Sequence, residues 1–241
     1  MNVDPAPSSE LLQDLVDANH ILFNEKVVDA FGHVSVRHDK DPSRFLLARN
    51  MAPGLVTADD IIQYQFDGTP IDPQNRRGYL ERFIHGSIYR ARPDVVAVVH
   101  SHSPTVVAFS VSSRQRLRPI CHMSGFLRDG AGRFEIRDTA GSGTDLLIKS
   151  TELGDALAVA LAERNAILMR GHGSTVVAPS LRLAVYRAVY AEINAKLQAQ
   201  AIAFGEPEYL TVEEAREAER NVEGQVDRPW NLWKAAAQAA R

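Results

Sequence analysis

Apolar residues first recur at helical spacing. Leu11, Leu12, Leu15, Val16, Ile21 and Leu22 form one stripe behind Ser8 or Ser9, which predicts a capped amphipathic helix with His20 packed near the stripe. Alternation then takes over. Phe31 to Arg37 reads as a strand, His38 to Ser43 as a charged turn with His38 in solvent, and Arg44 to Ala48 as the second strand of a hairpin. Thr57 to Asp60 predicts a helical turn and Ile62 to Phe66 a strand ending at Asp67-Gly68. After a polar loop over Asp72 to Arg77, a helix runs from about Tyr79 until Pro93 stops it.

The run Val95 to Val99 has the composition of a strand buried on both faces, and it ends in His100-Ser101-His102. Ser103 and Pro104 then read as the cap and first position of a helix. Residues 112–146 give only loop and short strand, with a strand end at Pro119 to His122. Thr151 to Glu163 predicts a helix, and Asn165 to Arg170 a short strand ending in Gly171-His172-Gly173. Ser180 caps a long helix closed by Gly205, and Val212 to Arg220 forms one more. The succession predicts a single domain over 1–241, loose over 1–7 and with a helical extension over 206–241, its strands and helices in α/β/α layers.

Composition narrows the partners. A net charge of -3 offers no basic field for nucleic acid and no polybasic patch for a membrane. Cys121 is the single cysteine, which excludes an intrachain disulfide and fits a reducing compartment. Met1 to Glu10 lacks the features of a secretory signal, and no apolar run is long enough to span a bilayer. The expectation is a cytoplasmic protein without nucleic-acid or membrane partners.

The chemistry gathers at the strand ends. Residues i and i+2 of a strand share a face, so His100 and His102 present two imidazoles side by side. If the strand before Gly171 lies beside the central one, His172 adds a third, and its flanking glycines leave room for a close approach. Three histidines with an open position suit a catalytic metal, and zinc, manganese, iron or cobalt all accept such ligands. Glu81, among apolar residues on the preceding helix, can coordinate the metal or move protons, or else pair with Arg82 or His85 in solvent.

Gly32-x-Val34-Ser35-Val36-Arg37, Glu81-Arg82-Phe83-x-His85, Arg92-Pro93-Asp94-x-x-Ala97-Val98-Val99-His100-x-His102 and Gly171-His172-Gly173 follow one another here. Over roughly residues 10–205, that order resembles the class II aldolase/adducin family. The resemblance implies an α/β fold, a three-layer α/β/α sandwich around a mixed, largely antiparallel sheet. It also implies one divalent metal on His100, His102 and His172, Glu81 as acid/base, and a homotetramer with active sites between subunits.

Departures from the family's sugar-phosphate aldolases redirect the substrate. Those enzymes carry asparagine at His33, a Thr-Gly pair in the Arg49 to Ala52 loop, and Ser-Ser at Tyr79-Leu80. Bulky replacements remove the hydroxyls and backbone donors that cradle a phosphate. The Gly32 to Arg37 segment, the Ala52-Pro53-Gly54 loop and the tail from Val226 to Trp233 resemble the family's decarboxylase branch, which acts on hydroxylated aromatic or pyridine dicarboxylates.

That resemblance implies a manganese or zinc lyase of aromatic compound catabolism, in which an ortho-hydroxy-carboxylate chelates the metal. Glu81 is then the proton donor, with His33 or a metal-bound water as second choice. Arg49 grips the second carboxylate, and Asn50, Tyr79, Ser35 and His122 complete the expected substrate contacts. Trp230 and Trp233 either cover the pocket or pack on the body. A sugar-phosphate aldolase or epimerase with the same metal site, a non-catalytic adducin-like interaction domain and a metal-dependent oxygenase are the competing readings.

Overall fold

The computed structural model describes residues 5–71 and 73–240. Helix α1 (Ser9–Asn24) starts at Ser8, whose hydroxyl accepts the Leu11 amide, and buries Leu15, Val16, Ile21 and Leu22 as its periodicity requires. The hairpin of β1 (His33–Arg37) and β2 (Arg44–Ala48) follows, then β3 (Ile61–Gln65) and the short β4 (Pro70–Ile71). Helix α2 (Arg82–Ala91) begins three residues later than its apolar spacing suggests, with Glu81 at the cap position.

The central strand β5 (Ala97–Ser101) is buried at every position. It leads into α3 (Pro104–Val111), then β6 (Gly132–Phe134), the single turn α4 (Arg137–Ala140) and α5 (Thr151–Leu161). The chain continues through β7 (Ala166–Met169), β8 (Gly173–Ala178), the long α6 (Leu181–Phe204), α7 (Val212–Glu223) and α8 (Asp227–Ala239).

The described residues form one eight-stranded sheet in the order β4-β3-β2-β1-β5-β8-β7-β6. Every pairing is antiparallel except β6 with β7. Helices cover both faces: α2 packs on α5, while α1 and α6 lie against β1, β5 and β8. The fold is thus the expected α/β/α sandwich around a mixed, largely antiparallel sheet. Alternation on β1 serves both layers, since His33 and Ser35 meet α2 while Val34 and Val36 join the apolar core.

Several local expectations are corrected. β8 did not stand out from the sequence, yet it is the strand that borders β5, and β7 lies one place further out. Pro119 to His122 is not a strand end; it leads into a 3-10 turn over His122–Leu127 that packs on α7. Within the expected helical extension, the stretch around Trp230 and Trp233 is helix α8, and of the two fates open to Trp230 it takes burial in the core.

Ser103 occupies the cap position of α3 but does not cap it; its hydroxyl donates to the Val27 carbonyl, 3.1 Å away. The Glu192 carboxylate on α6 takes the Thr105 and Val106 amides instead, at 3.3 and 3.2 Å. His38 is buried, not solvated. Its Nδ1 accepts the Lys40 and Asp41 amides at 3.0 and 3.1 Å, which leaves Nε2 to donate to the Pro5 carbonyl at 3.0 Å. That bond anchors part of the tail expected to be loose, of which residues 1–4 lie outside the described residues. No helix among the described residues is long and apolar enough to cross a membrane.

Candidate metal centre

Two adjacent strands and one helix start build the centre. His100 is the penultimate residue of β5, and His102 follows one residue beyond the strand's end. His172 sits in the turn between β7 and β8, where Gly171 adopts φ +66°, a conformation glycine accepts without strain. Gly173 then pairs with Met169. A Cβ on Gly173 would lie 2.1 Å from the Ser101 carbonyl oxygen, so the close approach is by the β5 backbone and not by a ligand. Gly173 therefore lets the His172 turn lie close against the His100 strand, while Gly171 supplies the turn's positive φ.

Glu81, His100, His102 and His172 each offer a ligand atom, and all four atoms lie within 4.8 Å of one another. The His100 and His102 Nε2 atoms are 3.0 Å apart. Glu81 Oε2 stands 3.4 Å from His172 Nε2 and 3.6 Å from His100 Nε2. Its other oxygen accepts the Ile148 amide at 2.9 Å, which fixes the carboxylate's orientation. His100 Nδ1 donates to the Ser174 carbonyl at 3.1 Å, so its Nε2 carries the lone pair turned to the cluster.

The donor set fits a divalent metal. Both ring nitrogens of His172 are buried without a hydrogen-bond partner among the described residues, a costly arrangement for a group with no ligand to meet. Burial lowers the proton affinity of His100, and the neighbouring histidines lower it further. Burial and then His172 do the same to His102, against a smaller opposing pull from Glu81. Neutral imidazoles with free lone pairs are the metal-binding form. His102 also lines an open cavity of about 480 Å³ with Phe23, Val27 and Pro104.

The remaining expected residues divide into two groups. His33 packs beside the centre, its ring centroid 5.0 Å from that of His100 and 4.7 Å from that of Tyr79. Tyr79 is itself buried and donates to the Met51 carbonyl at 2.5 Å, with burial pushing its phenol up to about 12. Arg49 gives its Nε to Asp60 at 2.6 Å and remains 40% exposed, which leaves its terminal amino groups without a partner among the described residues. Asn50 is exposed, and its backbone amide donates to the Arg77 carbonyl at 2.7 Å.

Ser35, expected among the substrate contacts, lies deeper than His33. It is fully buried behind His33, with its hydroxyl engaged by His85 and Tyr89. His122 is exposed and lines a separate groove with Tyr186, Tyr190 and Trp233. Trp233 meets those two tyrosines at tilted angles, and Trp230 lies under the Arg182 guanidinium.

The sequence reading did not find the partners beneath His33. His33 Nδ1 lies 2.7 Å from His85 Nε2, His85 Nδ1 lies 2.6 Å from Ser35 Oγ, and Ser35 Oγ lies 2.7 Å from the Tyr89 hydroxyl. The available signal was the four-residue step from Glu81 to His85 to Tyr89, which puts His85 and Tyr89 on one face of α2 below the cap residue Glu81.

Residues 13–199 match the family described as the class II aldolase and adducin N-terminal domain. Among curated proteins, decarboxylase tropJ of Talaromyces stipitatus is 36% identical, with 94% of each chain aligned. A 3,4-dihydroxyphthalate decarboxylase of Arthrobacter keyseri is 31% identical across 72% of this chain and 71% of its own. Among solved structures, the L-fuculose 1-phosphate aldolase of Glaciozyma antarctica superposes with a TM-score of 0.78 at 25% identity, covering 98% of this chain and 94% of that one.

Proposed function

The chain belongs to the class II aldolase and adducin family, and from that premise we propose that it releases CO2 from a hydroxylated aromatic or heteroaromatic dicarboxylate. Relatives named as decarboxylases support a carbon–carbon lyase, with carboxy-lyase chemistry ahead of aldol cleavage. The observation that carries the reading is the cluster itself. The imidazoles of His100, His102 and His172 and a carboxylate anchored by one oxygen converge on one point.

A divalent metal held by His100, His102 and His172, manganese or zinc in this reading, would supply Lewis acidity toward an ortho-hydroxy-carboxylate. The chain's own groups do the rest. Loss of CO2 leaves electron density on the ring carbon, and Glu81 delivers a proton there through the oxygen that Ile148 does not hold. Arg49 grips the second carboxylate with the guanidinium edge that Asp60 leaves free. Tyr79 is buried and bonded to the Met51 carbonyl, so at these two positions the chain offers no free small hydroxyl for a phosphate, which supports a substrate without one.

We take the enzyme to be a cytoplasmic homotetramer of aromatic compound catabolism with sites shared between subunits, and light scattering on the purified protein tests the assembly. The activity is tested by CO2 release from a panel of hydroxylated aromatic dicarboxylates, run beside aldehyde release from phosphorylated sugars. Turnover of the first panel alone is expected. Turnover of phosphosugars alone would overturn the decarboxylase reading in favour of an aldolase.

A further inference from the structure

Two periodicities mesh under the centre. His33 and Ser35 alternate onto one face of β1, and His85 and Tyr89 stand one helical turn apart on α2. Their polar atoms join into one buried line, His33 to His85 to Ser35 to Tyr89, at 2.7, 2.6 and 2.7 Å. All four residues are buried, so each proton in the line must have an acceptor within it or at its ends.

The ends decide the direction. At the inner end, no acceptor other than Ser35 Oγ reaches the Tyr89 hydroxyl among the described residues. Were the line to run inward from His33, the Tyr89 proton would be buried unpaired, which disfavours that direction. Run outward, every group is satisfied. The phenol donates to Ser35, Ser35 donates to His85 Nδ1, and His85 Nε2 donates to His33 Nδ1. The remaining proton of neutral His33 then sits on Nε2. That atom has no partner among the described residues, and the ring feels both His102 and His172.

We propose that His85, Ser35 and Tyr89 are positioning residues that hold His33 in the tautomer protonated at Nε2, so that it presents a fixed N–H donor to an oxygen of the anionic substrate. This rests on the reading of the neighbouring site as one for a hydroxy-carboxylate. It assigns His33 a donor's task, with no lone pair at Nε2 to act as a base. Such a donor favours substrates with a carboxylate or phenolic oxygen at that point over ones with an amino group there.

The test is a long-range proton–nitrogen NMR spectrum of zinc-loaded protein labelled with 15N-histidine, the His33 signals being assigned with His33→Gln. The expected wild-type spectrum shows His33 protonated at Nε2 and unprotonated at Nδ1. Ser35→Ala should add a second His33 population with the proton on Nδ1 and lower kcat by about tenfold or more. Ser35→Thr, which keeps the hydroxyl, should restore the single tautomer. Wild-type His33 protonated at Nδ1, or a tautomer unmoved in Ser35→Ala, would overturn the proposal. The wild-type spectrum decides even where the alanine variant fails to fold. Absence of CO2 release from any hydroxy-carboxylate would remove the functional reading while leaving the tautomer result standing.

Discussion

Replacing Glu81 by glutamine separates the two tasks its carboxylate can perform. Oε1 accepts the Ile148 amide at 2.9 Å, and a glutamine carbonyl can keep that bond. Oε2, at 3.4 Å from His172 Nε2 and 3.6 Å from His100 Nε2, becomes an amide nitrogen with no proton to deliver to carbon. The fold should therefore stand, because the one backbone group that depends on residue 81 stays paired. Turnover should not. A positioned general acid contributes roughly 10²- to 10⁴-fold, which corresponds to about 2.7–5.4 kcal/mol of barrier at 1.36 kcal/mol per tenfold.

The assay is the initial rate of CO2 release, with metal added until the rate no longer rises, alongside a thermal melt. The expected result is a wild-type melting curve with kcat lowered at least 100-fold. A kcat within about threefold of wild type would refute the proton-delivery argument. So would a loss fully cured by excess metal, because Glu81 would then act only as a ligand.

Arg49→Ala should raise KM for a dicarboxylate by about 10- to 100-fold, the worth of a charge-assisted pair, and leave the matching monocarboxylate unaffected; an equal effect on both would show that Arg49 does not read the second carboxylate. Gly173→Ala should cost about 1–3 kcal/mol in urea unfolding and weaken metal retention, because the added carbon meets the Ser101 carbonyl oxygen at 2.1 Å. Burial pulls the His85 imidazole from its ordinary value of 6.5 down to about 3, so between those values the unfolded chain binds a proton that the folded chain refuses. Metal-free protein should then lose stability as pH falls through that window. His85→Gln should flatten the slope, by at most about 1.4 kcal/mol per pH unit, and an unchanged slope would contradict the buried neutral state.

The sequence disclosed the centre more readily than the elements that deliver it. His100 and His102 could be placed because a β-branched run leading into His-x-His leaves little choice of face. His172 could be named as their companion, but its carrier was misjudged. Gly173 to Ala178 follows Asn165 to Arg170 so closely that the sequence pattern assigns only the first of the two strands and leaves β8 without an element. His38 misled for a different reason. A histidine in a charged turn looks solvated until the turn's backbone amides are seen folding onto its Nδ1.

Ser35 and Arg49 show where pattern gives out. Alternation places Ser35 on the same face of β1 as His33 but does not say that His85 and Tyr89 take its hydroxyl. Nothing local to Arg49 foretells that Asp60, already closing a capping box with Thr57, also takes its Nε. Side chains that meet across elements depend on register and packing distance, which periodicity within one element does not carry.

Retention of a metal ion bears on all of this most directly. Protein purified from metal-replete medium and dialysed against buffer should hold close to one manganese or zinc per chain by elemental analysis, and His172→Ala should hold a small fraction of that at an unchanged fold. A wild-type protein that keeps no divalent ion, or a His172→Ala variant that keeps as much as wild type, would contradict the shared centre on which the proposed chemistry depends.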